Sequence, residues 1–183
     1  RFVNVSEAAG LDGFTIRGGD ATSGHSVGHF DSGGGIYNED GSPQIKNCII
    51  TENRAKKGGG IANYANENSN ANPTFTNCTI SNNLANDNVV NKVDNGGGVY
   101  NESGQNGTAN PTFTNCTIIN NIATSDGGGM YNISESHWSH KSTASPTLTN
   151  CTITGNEAYN GGGIWNSTAN LEGKDPVKKA NLL

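Results

Sequence analysis

The chain has 183 residues, of which 15% are charged and 32% hydrophobic, with a formal net charge of -5 and 26 glycines. That length makes one domain of ordinary size. The acidic balance excludes a nucleic-acid partner: Lys56-Lys57 and Lys178-Lys179 are isolated pairs, and no basic stripe exists to neutralise phosphates. No run is long and apolar enough to predict a transmembrane helix, so no membrane insertion by this segment is expected.

In chain order, apolar Leu11, Phe14 and Ile16 come first, followed by a Gly-Gly-Gly-Ile run at residues 33–36 with Asn38 two positions on. Residues 43–50 then read Pro-x-Ile-x-Asn-Cys-x-Ile. Both motifs return in alternation. The glycine triplet recurs at 58–61, 96–99, 127–130 and 161–164, followed by Asn63, Asn101, Asn132 and Asn166. The proline motif recurs at 73–80, 111–118 and 146–153. A period of roughly 30 to 38 residues that carries short strands defines a solenoid. The low apolar fraction fits, because a narrow solenoid core needs few apolar residues per coil.

Residues 111–118 show how one coil is built. Strand side chains alternate faces, so Phe113 points in between Thr112 and Thr114. Asn115 marks a corner, Cys116 and Ile118 point in again, Asn121 stands at a second corner, and Ala123 fills a tight inward position. Gly127 to Gly129 permit a bend or close packing that a Cβ would obstruct, after which Met130 points in and Tyr131 out. Across the coils this predicts four inward ladders: Ile45, Phe75, Phe113, Leu148; Cys48, Cys78, Cys116, Cys151; Ile50, Ile80, Ile118, Ile153; and Ile36, Ile61, Val99, Met130, Ile164. Leu11, Phe14 and Ile16 extend the first three, and Val177, Ala180 and Leu182 continue the pattern in the tail.

Every connection runs in one direction, so neighbouring coils pair in parallel. The expected fold is all-β: a single-stranded parallel β-helix over residues 1–183, right-handed by the crossover rule and about five to six coils long. Three asparagine ladders are expected: Asn47, Asn77, Asn115, Asn150; Asn53, Asn83, Asn121, Asn156; and Asn38, Asn63, Asn101, Asn132, Asn166. Stacked amides hydrogen-bond along the axis and satisfy backbone groups at turns. The Asn-x-Ser/Thr sequons at Asn77 and Asn115 fall inside these repeats and read as turn chemistry.

The glycine triplet followed by Ile-Tyr-Asn, with Ile-x-x-Asn-x-Ala at residues 80–85, 118–123 and 153–158, resembles the repeats of right-handed parallel β-helix proteins of bacterial surfaces. Polymorphic outer-membrane proteins are the named relatives, over roughly residues 11 to 166. The chain has Gly for their Ala and Ile for their Phe. The resemblance implies secretion, cell-surface exposure and adhesive or structural roles.

Insertions lie at two points of the coil, residues 22–32 and 86–95, and residues 64–72, 102–110 and 133–145. In a solenoid they cluster on one face, often the binding face. The last contains His137, Trp138 and His140, the one irregular sequence in the chain. With Tyr131 and Trp165 these form a candidate carbohydrate-stacking set, against which stands ordinary loop packing. A metal site lacks further ligands near by, so no metal and no cofactor are expected. The four cysteines occupy one inward ladder at a rung spacing of about 4.8 Å, too wide for the usual disulfide Cβ separation, and read as buried free thiols. Together with Asn47, Asn77, Asn115 and Asn150 they are structural ladders, not sites. The acids scatter, Glu52, Arg54 and Lys57 read as a solvated charge cluster, and no catalytic residues are assigned. Outward threonines at 74, 76, 112, 114, 147 and 149 form a two-column array that Gln44 and Lys46 interrupt.

The function expected is a non-enzymatic, extracellular structural or adhesive protein. Its partners would be a surface polysaccharide, a host or cell-surface ligand, or further copies stacked through coil ends into oligomers or filaments. A polysaccharide-binding or polysaccharide-degrading β-helix is the alternative, and an ice-binding Thr-x-Thr face is a third reading.

Overall fold

The structure is a computed structural model that describes residues 2–3, 9–22, 30–87, 93–136 and 141–170. These residues form a parallel β-solenoid with no helix among them. Each turn visits four faces. The first face stacks Gly10–Asp12, Gln44–Lys46, Thr74–Thr76, Thr112–Thr114 and Thr147–Thr149. The second stacks Thr15–Arg17, Ile49–Thr51, Thr79–Ser81, Thr117–Ile119 and Thr152–Thr154. The third is built of the two-residue strands Asp20–Ala21, Arg54–Ala55, Leu84–Ala85 and Ile122–Ala123. The fourth and widest holds Phe2–Val3, Ile36–Glu39, Ile61–Ala65, Val99–Ser103, Met130–Ser136 and Ile164–Asn170. About four turns are complete, fewer than the five to six expected. On the narrow third face the last rung shrinks to a single bridge between Ile122 and Glu157.

The four predicted inward ladders form in register. Phe75 faces Ile45 and Phe113, Ile80 faces Ile50 and Ile118, and Val99 faces Ile61 and Met130. In the middle rungs these side chains and the three cysteines Cys48, Cys78 and Cys116 are buried in one continuous core. Phe14 departs from the expected cysteine column: it is 57% exposed. It belongs to the first rung, which has a neighbouring rung on one side only. Val177, Ala180 and Leu182 lie outside the described residues.

The strands are short because left-handed residues turn the chain at fixed points. Asn47, Asn77, Asn115 and Asn150 have φ of 52°, 55°, 54° and 53°. Asparagine tolerates this region better than most L-residues. The second corner lies one residue earlier than expected, at Glu52, Asn82, Asn120 and Gly155. Asn53, Asn83 and Asn121 therefore point into the core instead of standing at the corner.

The glycine triplet has two separate causes. Its first member turns left-handed, with φ of 64° at Gly58, and a Cβ there would collide with the Ile61 carbonyl oxygen. The other two lie against the next rung. A Cβ on Gly60 would come within 2.7 Å of the Gly98 carbonyl oxygen and 2.9 Å of Asn83 Nδ2. Distances of this kind leave no room for any side chain.

Candidate functional site

A polar and aromatic place lies on the outer side of the widest face. Tyr37, Ala62, Tyr100, Tyr131 and Trp165 occupy one outward column, and Glu39, Tyr64, Glu102, Ile133 and Ser167 the next. The first column sits directly over the left-handed glycines: a Cβ on Gly127 would touch Tyr131 Cβ at 2.9 Å, and one on Gly161 would touch the Trp165 ring. The bend at the triplet therefore folds the chain against its own outward aromatics. Tyr37, Ala62, Tyr64, Tyr100 and Tyr131 form a second buried cluster, with Ile133 and Trp165 packed on it.

The rings run as a ladder. Tyr37 to Tyr64 and Tyr64 to Tyr100 are tilted pairs at 5.7 and 5.6 Å, and Tyr100 stacks on Tyr131 at 5.3 Å with 6° between the planes. Lys57 lies over it, 5.0 Å from the Tyr100 ring centre and 5.8 Å from that of Tyr64, within cation–π range. Its ammonium donates to Glu102 Oε2 at 3.2 Å, and the Tyr100 hydroxyl donates to the same oxygen at 2.6 Å. The Tyr37 hydroxyl donates to Glu39 Oε2 at 3.0 Å, and the Tyr64 hydroxyl shares a hydrogen bond with Ser32 Oγ at 3.1 Å. Burial pushes the Tyr64 and Tyr100 phenols well above their ordinary range. Glu135 stands beside Glu102. Burial raises its carboxyl, and the neighbouring Glu102 charge raises it further.

This arrangement pairs its charges with one another. Glu102 is neutralised by Lys57, and the aromatic faces are covered. A second polar place lies by the insertion at 86–95. Asp94 is 2% exposed, accepts from Thr124 Oγ1 at 3.0 Å through one oxygen, and has its carboxyl raised chiefly by burial. Its other oxygen, Oδ1, is without a hydrogen-bond partner. Among the described residues no group of three or more His, Cys, Asp or Glu side chains could hold a metal ion.

Of the candidate carbohydrate-stacking residues, Tyr131 and Trp165 are brought together as neighbours on one column. Tyr131 does point away from the solenoid axis, yet it is only 6% exposed, so its ring is closed to a sugar by Tyr100 and the cluster around it. His137, Trp138 and His140 lie outside the described residues. Glu52, Arg54 and Lys57 do not form one cluster. Glu52 pairs with Arg17 at 2.6 Å, Arg54 Nε donates to the Asn86 carbonyl at 2.8 Å, and Lys57 turns to Glu102.

The structural ladders are in place. All four cysteines are free. Their thiols donate to strand carbonyls, Cys78 Sγ to Thr76 O at 3.3 Å and Cys116 Sγ to Thr114 O at 3.4 Å. Cys78 is held up by its hydrogen bond with Cys116 and by burial, and Cys151 by burial. The corner column is joined outside the core, Asn77 Nδ2 to Asn47 Oδ1 at 3.1 Å and Asn115 Nδ2 to Asn77 Oδ1 at 3.3 Å. Asn150 holds the same left-handed corner. The two inner ladders are continuous, from Asn53 to Asn156 and from Asn38 to Asn166, and buried up to their last members, which are half-buried.

The tyrosine ladder was not read from the sequence. Its signal is the aromatic four residues after the first glycine of a triplet: Gly33 to Tyr37, Gly96 to Tyr100, Gly127 to Tyr131 and Gly161 to Trp165. The chain matches no family model, and no curated protein or solved structure is similar to it.

Proposed function

We propose that this solenoid is a non-enzymatic structural or adhesive element of a bacterial cell exterior, presenting its outer faces to a surface polysaccharide or another cell-surface ligand. The observation that carries this reading is how its reactive groups are used. Lys57, Glu102 and the tyrosines are spent on one another, the thiols face inward, and the inner asparagine amides hydrogen-bond from rung to rung. In a repeat architecture such groups hold neighbouring coils together. The extracellular location rests on the resemblance to bacterial surface repeats. The test is incubation with acidic and neutral polysaccharides, following both retention and cleavage. Retention without release of reducing ends or unsaturated products supports the proposal, and cleavage overturns it.

One observation favours a second reading, polysaccharide degradation. Glu102 and Glu135 are two carboxyls side by side, and Glu135 is shifted toward protonation. Glycoside hydrolysis uses an acid and a carboxylate of unequal pKa, but about 5–9.5 Å apart on either side of the scissile bond, wider than a pair in contact. Lys57 and the hydroxyl of Tyr100 already occupy Glu102, which weighs against it. Cleavage abolished by Glu135→Gln would establish that reading.

A further inference from the structure

We infer that the outer side of the first face is a lattice-binding surface whose ligand is the surface of ice. The inference deepens the adhesive reading above and rests on it in one respect, that a flat outer face and not a cleft meets the ligand.

Three consecutive rungs of this face carry threonine at both outward positions. Thr74, Thr112 and Thr147 are in register as one column, and Thr76, Thr114 and Thr149 as the next. Thr74, Thr147 and Thr149 are exposed, and Thr76, Thr112 and Thr114 are half-buried by neighbouring rungs. Rungs repeat at about 4.8 Å, and alternate residues of one strand at about 6.6 Å. Six hydroxyl-and-methyl groups thus stand on a near-rectangular net. Its two repeats approximate those of the water oxygens on a prism face of ice. Thr79, Thr117 and Thr152 form a further column beyond the asparagine corner.

The net is held stiff from behind. Phe75 and Phe113 stack beneath it at 4.7 Å with 6° between their planes. Each strand is tied to the rung before it, the carbonyls of Pro43, Pro73 and Pro111 accepting from the backbone amides of Thr74, Thr112 and Thr147 at 2.9 Å. A rigid template loses little conformational freedom on binding a rigid lattice. A threonine methyl also fits between waters that its hydroxyl joins, which a serine or lysine column would not provide.

The choice of ligand follows from what the face lacks. No charge interrupts these three rungs, whereas Gln44 and Lys46 end the net on the next. No aromatic stands on it, and flat sugars of a crystalline polysaccharide would be met by rings. The tyrosine ladder lies buried on the widest face instead.

The experiment is ice affinity and the gap between melting and freezing points for the purified chain. It is run beside Thr112→Lys at the centre of the net, Thr112→Val as a β-branched variant that keeps the fold, and Tyr159→Lys as a control at an 86% exposed position elsewhere. Circular dichroism confirms that each is folded. The expected result is ice binding by the wild type and by Tyr159→Lys, loss with Thr112→Lys, and reduction with Thr112→Val. Absence of any ice activity in the wild type overturns the inference, as does activity that Thr112→Lys leaves unchanged. Retention on insoluble cellulose or chitin, lost with Thr112→Lys and without ice activity, also overturns it while leaving the adhesive reading intact. Cleavage of a polymer would instead remove the adhesive reading itself.

Discussion

Replacing Asn121 by alanine should cost more than any exposed asparagine substitution in the chain. Its Nδ2 donates to Ile80 O and to Asn156 Oδ1, both at 2.9 Å. Its Oδ1 accepts from the Asn83 backbone amide at 3.0 Å and from Asn83 Nδ2 at 2.9 Å. Two of these four groups keep another partner. Asn83 Nδ2 still reaches Ile50 O at 3.0 Å, and Asn156 Oδ1 still accepts from the Asn121 backbone amide at 2.9 Å. The Asn83 amide and the Ile80 carbonyl lose the side chain that served them. A buried polar group left without its partner costs about 1–3 kcal/mol, so the expected loss for the two is about 2–6 kcal/mol. For a chain of this size that lowers the melting temperature by roughly 5–20 °C, read by far-UV circular dichroism. The control is Asn77→Gly on the outer corner. It keeps the left-handed backbone, as Gly13 does in the same column with φ of 77°, and should change stability by less than about 0.5 kcal/mol. If Asn121→Ala melts with the wild type, or Asn77→Gly costs as much, the assignment of the inner ladder as the stabilising one is wrong.

Five further outcomes are expected. Gly98→Ala places a Cβ 2.6 Å from the Gly129 carbonyl oxygen and should cost about 3 kcal/mol. Gly13→Ala, with no atom near its Cβ but a φ of 77°, should cost about 1–2 kcal/mol, and thermal melts separate the two. Cys116→Ser buries a hydroxyl in an apolar column and should destabilise by about 1–3 kcal/mol. A colorimetric thiol reagent should label the native chain slowly, the partly exposed Cys151 first, and all four cysteines only in denaturant; rapid uniform labelling would refute the inward column. Glu135 has a raised carboxyl in the folded chain, so the folded state holds its proton more tightly than the unfolded state does. The stability this contributes is complete below the ordinary glutamate range and is lost as pH rises through the folded value. Glu135→Gln should therefore melt higher than wild type at neutral pH, with the gap closing on acidification. A gap that widens in acid contradicts the burial of this carboxyl.

The solenoid was legible because its ladders repeat. Five glycine triplets and four Pro-to-Ile motifs place Ile80 over Ile118 before any coordinates are seen. The second corner was misread by one residue, because asparagine serves both as a left-handed turn former and as a buried ladder amide. Asn82 and Asn83 are adjacent and do one job each. Outward direction was also read correctly at Tyr131 and solvent access was not. Alternation along a strand says which way a side chain points, while the bend at Gly127 decides what covers it. Contacts between insertions and the widest face, such as Ser32 with Tyr64, join residues from separate turns and leave no periodic trace.

The central claim is that the chain's abundant amides are rungs of a scaffold, and side-chain amide hydrogen exchange measures it most directly. By NMR, the NH2 protons of Asn63, Asn83, Asn101 and Asn121 should be strongly protected, since all four are buried and donate along the axis. Those of Asn47, Asn77 and Asn115 should exchange quickly from their exposed corner. Equal, rapid exchange of both sets would contradict the account.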